Sequence, residues 1–365
     1  MSKNLLMITG LGSAKDLAQG KRGAFYNTLE EFHKYWDRID IIISKVSGEV
    51  VTELFGNVYL HVSPWPLILH PLFFLKKGTS LHKKYHFDAI TVQEFPPFYN
   101  GIGAFLLWCR IKVPYLLEIH HVPGYPKSAN LKEWLYRFFM RLLIALDALP
   151  ARAVRVVNKN QTKEFLIRAG VPESKIMHIP SLYIDQNIFH PTHELKECDI
   201  IFVGRLAENK GIKLFLNVAK ISGLRALIVG DGPLKKYVND KIKSWKLENV
   251  KCFGWAKDSN EIASLINKSK LLIMPSLNEG GPRVVVEAMA CGVPVLATPV
   301  GIVPDFEDAC TIIDWSVDDI IQKAGCLLKD EQVYRSKVML GLEVAKQFNK
   351  ESAVKNYAEK VASLI

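Results

Sequence analysis

One repeating alternation constrains this chain more than any other feature. Short apolar runs rich in Ile, Val and Leu recur as NLLMIT, IDIIIS, DAITVQ, PYLLEI and VRVVN, then as CDIIFVG, RALIVG, KLLIMP and PVLAT. Strands buried on both faces require continuous apolar runs of this kind. Between them lie helix-length segments such as Phe25 to Tyr35, Lys236 to Trp245 and Glu261 to Lys268. A parallel strand rejoins its sheet through a crossover, so the pattern predicts right-handed βαβ units and doubly wound α/β sheets.

The 365 residues exceed what one core usually organises, and at roughly 150 residues per domain two domains are expected. The proline- and polar-rich stretch IPSLYIDQNIFHPTHELKEC interrupts the pattern before a new strand begins at Asp199, which puts the seam near residue 190. The expected division is one doubly wound domain over 1–190 and a second over 191–349. A final amphipathic helix over 350–365 is expected to pack back on the N-terminal domain.

With 49% hydrophobic and 23% charged residues, the chain has the balance of a folded protein and not a disordered one. Its six cysteines are scattered, with no Cys-x-x-Cys pair, so neither a zinc site nor a disulfide framework is expected. The start reads as a first strand, not as a secretion signal. The stretch WPLILHPLFFL, broken by Pro66 and Pro71, falls short of the roughly 18 residues that span a bilayer. A cytoplasmic location is expected, with contact at the cytoplasmic membrane surface left open. Most of the net charge of +10 lies before residue 190. That surface suits anionic headgroups or an acidic acceptor, and also a basic domain with no such partner. Nucleic acid is not expected as a partner.

The C-terminal half carries the chemistry. In IFVGRLAENKG an apolar strand runs into Gly204 and Arg205, and Lys210 follows next to Gly211 at the start of a helical pattern. Two cations and a helix N-terminus at one strand end are what a diphosphate needs. Surface pairing of the same cations with Glu208 is the plainer alternative. In MPSLNEGGPRVVVEAMACGVPVLATPVG a strand ends at Pro275, a loop carries Glu279, and a helix opens near Pro282. Glu279 and Glu287 are eight positions apart, one in the loop and one inside the helix. Carboxylates accept from the paired hydroxyls of a sugar or ribose, while Gly280 and Gly281 let backbone N–H groups approach a phosphate.

These motifs, GR followed by a lysine, VGDGP and above all EGGPRVVVEAMACGVPVLAT, resemble the donor half of retaining glycosyltransferases of family 4. The likeness runs from about Asp199 to Asp305. It implies the GT-B fold, two doubly wound Rossmann-like domains facing a central cleft, with the acceptor on 1–190 and the donor on 191–349, and hexosyl transfer from a nucleotide-diphosphate sugar. It implies that Glu287 bonds the donor ribose, that Glu279 anchors hydroxyls of the sugar, and that Arg205 and Lys210 hold the diphosphate. Gly281, Pro282 and Arg283 would form the phosphate-facing helix start, and Gly230, Asp231 and Gly232 would lie near the donor. In the N-terminal half, PYLLEIHHVPG resembles the family's strand that ends at a histidine beside the donor sugar, which selects His120. IPSLYIDQNIFHP matches the family's linker in shape, with Ser181, Leu182 and Tyr183 in place of its Asn-Gly turn.

Two N-terminal stretches stand apart. GLGSAKDLAQGKRGAF is glycine-rich and basic, so Gly20, Lys21, Arg22 and Gly23 are candidates to close over the phosphates or the acceptor, with a plain surface loop as the alternative. LKEWLYRFFMRLLIALDALPARAVR interleaves aromatic and basic residues on a helix, which suits a membrane surface as well as ordinary core packing. A glycan or lipid-linked acceptor in polysaccharide, lipopolysaccharide or glycolipid synthesis is the expectation. No Asp-x-Asp motif is present, so no metal and no other cofactor is expected. The alternatives are a nucleotide-sugar epimerase of related fold and a non-catalytic protein that binds sugar nucleotides or polyanions.

Overall fold

The computed structural model describes residues 3–9 and 13–365, with Glu307 described by its backbone alone. The chain divides into two compact units: Met1–His121 with Tyr136–Ser181 and Glu351–Ile365, and Val122–Leu135 with Leu182–Lys350. The division falls at Ser181, ahead of the polar stretch near residue 190, because Leu182, Ile184 and Phe189 are buried in the core of the second unit.

The first unit holds β1 (Asn4–Ile8), β2 (Arg38–Ile43), β3 (Glu53–Leu54), β4 (Val58–Val62), β5 (Ala89–Gln93), β6 (Tyr115–Ile119), β7 (Ala153–Val156) and β8 (Ile176–His178). Their order is β3-β4-β2-β1-β5-β6-β7-β8, parallel throughout except for the antiparallel β3–β4 pair. The second unit holds β9 (Cys198–Val203), β10 (Ala226–Val229), β11 (Val250–Gly254), β12 (Ser269–Met274), β13 (Val295–Ala297) and β14 (Cys310–Ile312). All are parallel, in the order β11-β10-β9-β12-β13-β14. This is a doubly wound sheet with its first strand in the middle.

Both faces of the second sheet are covered, which explains its unbroken apolar runs. Ile200, Phe202, Ile228, Leu271 and Ile273 point into one core with Phe215 and Leu216 of the helix Ile212–Ser222. Ile201, Val229, Leu272 and Met274 point into the other with Val285, Val286 and Met289 of the helix Arg283–Ala290. Each such side chain contributes roughly 1.5–3 kcal/mol on burial.

The last helix, Lys350–Ala362, belongs to the first unit and buries Val354, Tyr357, Ala358 and Val361. That unit also buries two carboxyls side by side. Glu94, just past β5, accepts from the Phe95 N–H at 2.8 Å and from the Gly101 N–H. Asp147, near the end of the helix Leu131–Ala148, lies against the same Gly101, where any side chain would strike both acids. Burial, and for Glu94 the neighbouring Asp147, pushes both carboxyls up, Asp147 to about 7.

A carboxyl raised in the folded state weakens folding as pH climbs. The cost is absent below Asp147's ordinary value and complete once pH has passed about 7. The urea midpoint should therefore fall between pH 5 and pH 8 by on the order of 2 kcal/mol in stability, and Asp147→Asn should flatten that fall. An unchanged slope in the variant would contradict the assignment.

Candidate functional site

In the second sheet the strand order reverses between β9 and β12, and open α/β sheets take ligands outside the carboxyl ends of strands at such a point. Residues 204–210 follow β9 and residues 275–283 follow β12. The two loops touch. The Leu277 N–H donates to the Asn209 carbonyl at 2.7 Å. Gly211 has a φ of +70°, and the place of its missing side chain is taken by the Pro275 carbonyl oxygen, so only glycine lets the loops meet.

The contact sets Lys210 Nζ 2.5 Å from Glu279 Oε1, with the side chains 29% and 12% exposed. The Ser276 hydroxyl donates to the same oxygen at 2.9 Å. Ser276 is anchored through its carbonyl, which accepts from Thr298 Oγ1 at 2.6 Å and Trp315 Nε1 at 2.9 Å. Arg205, in the same loop as Lys210, is exposed and has no ion-pair partner among the described residues. Glu208 pairs with Lys213 at 2.6 Å, so the plain surface pairing with Arg205 or Lys210 does not form.

The turns after β9 and β10 are knitted together. Gly204 N–H donates to the Val229 carbonyl at 3.0 Å, and Leu206 N–H to the Asp231 carbonyl at 2.9 Å. Gly230, with a φ of +140°, lies so close to the Gly204 carbonyl that a side chain would collide with it. Asp231 serves the turn: its carboxylate accepts from the Gly232 N–H at 2.7 Å and pairs with Lys235 at 2.6 Å.

The helix Arg283–Ala290 opens after Pro282 with no side-chain cap, which leaves its positive dipole end directly downstream of Gly280 and Gly281. The Arg283 guanidinium turns to the Tyr183 carbonyl, with Nε and Nη2 at 3.2 and 3.0 Å, and ties the helix start to that segment. Glu287 is 8% exposed, and burial pushes its carboxyl up to about 7 against the opposing pull of Arg283, 3.8 Å away.

His120 follows β6 in the first unit, 37% exposed, with Nε2 3.4 Å from Glu118. Gly20 and Gly23 are also in the first unit. The stretch expected to be a loop contains the helix Ser13–Ala18, so Gly20 sits in the turn after it and Gly23 caps the helix Ala24–Phe32. Lys21 is paired with Asp16 at 3.0 Å. Gly10 to Gly12 of that stretch lie outside the described residues.

The sequence reading missed the supports of the Glu279 loop. Asn278, 1% exposed, donates to the Lys127 carbonyl at 2.8 Å and to Glu133 Oε2 at 2.9 Å. Lys127 in turn lies 3.9 Å from the centre of the Trp315 ring. The only local signal was the polar loop after a strand, since Lys127 and Trp315 are remote in sequence.

The loops after β9 and β12, at the reversal of a doubly wound sheet, thus carry a lysine–glutamate pair, an exposed arginine and an uncapped helix start. The model of the family Glycosyl transferases group 1 matches residues 184–333. Over 347 residues the chain is 32% identical to N-acetyl-alpha-D-glucosaminyl L-malate synthase of Bacillus anthracis, covering 79% of this chain and 88% of that one. An uncharacterized glycosyltransferase of Methanocaldococcus jannaschii is 30% identical over 158 residues, a match that spans 42% of this chain and only 45% of that relative. HepE of Anabaena, solved in complex with UDP and glucose, has the same fold, with a TM-score of 0.71 at 16% identity over 99% of this chain and 100% of that one. The chain belongs to the glycosyl transferases group 1 family, family 4 of the glycosyltransferases. It is a GT-B glycosyltransferase, of the class that moves a sugar from a nucleotide sugar to an acceptor.

Proposed function

We propose that the second unit holds a nucleotide-diphosphate sugar over the ends of β9 and β12, and that the sugar is transferred with retention of configuration. The Lys210–Glu279 contact carries this reading. It offers a cation and a hydroxyl acceptor within one hydrogen-bond length, on loops that also carry Arg205 and lead to an uncapped helix start, which suits a diphosphate joined to a sugar. In this reading Arg205 and Lys210 take the diphosphate and Glu279 the sugar hydroxyls. Glu287 takes the ribose diol, and the N–H groups of Gly280 and Gly281 turn to phosphate. Gly204 and Gly230 to Gly232 shape the turns after β9 and β10, and His120 is the histidine that the family resemblance assigns to the reaction.

The bond from the anomeric carbon to the diphosphate oxygen breaks as the acceptor oxygen bonds that carbon from the same face, and the acceptor proton passes to a phosphate oxygen. Arg205, Lys210 and the helix start stabilise the charge on the leaving diphosphate, so the reaction needs no divalent ion. Arg205→Ala, Lys210→Ala and Glu279→Ala should each lower turnover by about 100-fold or more, and EDTA should leave the wild-type rate unchanged. Loss of activity in EDTA would remove the metal-independent part of this reading.

An ionised Glu287 accepts from both ribose hydroxyls at once and more strongly than the neutral acid, and burial pushes its carboxyl up to about 7. Affinity for a nucleotide sugar should therefore rise about tenfold from pH 6 to pH 8 and become flat in Glu287→Gln. Calorimetric titration with a panel headed by UDP-sugars, UDP being the ligand of HepE, measures this. A flat wild-type profile would take Glu287 off the ribose.

The acceptor is a glycan or a lipid-linked sugar met at an anionic membrane surface. The helix Leu131–Ala148 leaves Trp134, Phe138, Phe139, Leu142 and Leu146 between 46% and 63% exposed, interleaved with Arg137 and Arg141. Such a face lies in a headgroup region rather than across a bilayer, and no helix among the described residues is long and apolar enough to cross one. The protein should float with phosphatidylglycerol vesicles and not with phosphatidylcholine vesicles, and Leu142→Glu with Leu146→Glu should abolish flotation. Equal flotation of wild type and variant would sink the surface reading.

A further inference from the structure

Glu118 is wholly buried near the end of β6, the strand that leads to His120. A carboxylate in that position needs complete pairing, because each unpaired buried charge costs several kcal/mol by order of magnitude. Its partners come from three separate parts of the chain. Arg155 on β7 donates from Nη1 to Glu118 Oε1 at 3.0 Å. Tyr357 on the last helix donates its hydroxyl to the same oxygen at 2.6 Å. His120 Nε2 lies 3.4 Å from the other oxygen, Oε2.

The first two partners are themselves fixed. Arg155 donates from Nε to the Ile179 carbonyl and from Nη2 to the Pro180 carbonyl, both at 3.0 Å. Its guanidinium carbon lies 4.1 Å from the centre of the Tyr357 ring, and that ring stacks on Phe32 with centroids 4.8 Å apart. Arg155, His120 and Tyr357 hold the Glu118 carboxyl down to about 2 against the opposing effect of burial. Glu118 is thus an anion that only accepts. Burying an ion cluster is a poor way to gain stability, since apolar residues of the same volume commonly do as well or better. The one member of the cluster that reaches solvent is His120.

We propose that Glu118 is the positioning residue for His120, with Arg155 and Tyr357 holding its carboxylate in place. Glu118 accepts the Nε2–H of His120, which fixes the ring and its tautomer and leaves Nδ1 as the nitrogen that accepts from a sugar hydroxyl. The inference rests on the role given to His120 above. It also gives the last helix a part in the chemistry, because Tyr357 supplies one of the hydrogen bonds on which the histidine's support depends.

The test uses the full-length protein labelled with 15N at histidine, with the His120 signals assigned by their loss in His120→Ala. Imidazole 15N shifts distinguish the two tautomers. Wild type should show Nε2–H, and Glu118→Gln and Tyr357→Phe should move His120 toward a mixture. Both variants should lower kcat about tenfold while the donor KM stays within about twofold. In a His120→Ala background, Tyr357→Phe should cause no further loss. Tyr357→Phe keeps the ring on Phe32, so it carries the test if Glu118→Gln fails to fold. An Nδ1–H tautomer in wild type, or an equal loss from Tyr357→Phe with and without His120, would overturn the proposal. Wild-type kcat in His120→Ala would overturn the role of His120 itself, a result the tautomer measurement keeps separate from the Glu118 contact.

Discussion

The meeting of the loops after β9 and β12 depends on a missing side chain. Because Gly211 has no Cβ, the loop after β9 lies against the Pro275 carbonyl at the end of β12. From that approach come the Leu277 to Asn209 backbone bond and the Lys210–Glu279 pair. Exposed ion pairs contribute about 0–1 kcal/mol, so this pair does not hold the loops together by itself. The backbone contact does that, and the pair reports that two loops from non-consecutive strands have been brought into register. Ser276 and Lys210 share Glu279 Oε1, while Oε2 has no hydrogen-bond partner among the described residues. The carboxylate is therefore held on one side and keeps acceptor capacity on the other.

The apolar runs read as strands prove to be inner strands of the two sheets, and the five strands that escaped are β3, β4, β8, β11 and β14, at or next to sheet edges. An edge strand is covered less completely, so its sequence lacks a continuous apolar run. In β11, Lys251, Cys252 and Phe253 are exposed while Val250 is buried. In β4 the polar Tyr59 and His61 alternate with buried Val58 and Leu60. β8 and β14 have three residues each, too few to show a period. The helix Ser13–Ala18 was hidden for the opposite reason, since glycines on both sides made a six-residue helix read as loop.

Among the candidate residues, Arg205, Lys210, Glu279 and Glu287 were legible because each follows an apolar strand or interrupts an apolar helix, where a charged residue is conspicuous. The Lys210–Glu279 and Leu277–Asn209 contacts were not. Those depend on the register of β9 against β12, which pairs Leu271 with Ile200 and Leu272 with Ile201, and register is a tertiary fact. The supports were less legible still. Trp315 and Thr298 reach the Ser276 carbonyl from other strands' loops, and Lys127 reaches Leu277 from a segment 150 positions away. Arg283 shows the limit of motif reading from the other side: the residue stands at the helix start, yet its guanidinium is committed to Tyr183.

The first unit handles buried carboxylates in two opposite ways. Glu118 has a guanidinium, a phenol and an imidazole around it and stays ionised. Glu94 accepts from two backbone N–H groups, the buried Asp147 Oδ2 has no hydrogen-bond partner among the described residues, and burial drives both toward the neutral form. A neutral carboxyl is cheaper to bury than an anion. Asp147 also lies at the inner end of the helix whose outer face is exposed and apolar. That helix is thus held to its sheet without a fixed charge beneath it, whereas the strand leading to His120 carries a permanent one. Charge in this unit is kept ionised where it faces a histidine and neutralised where it only holds a helix.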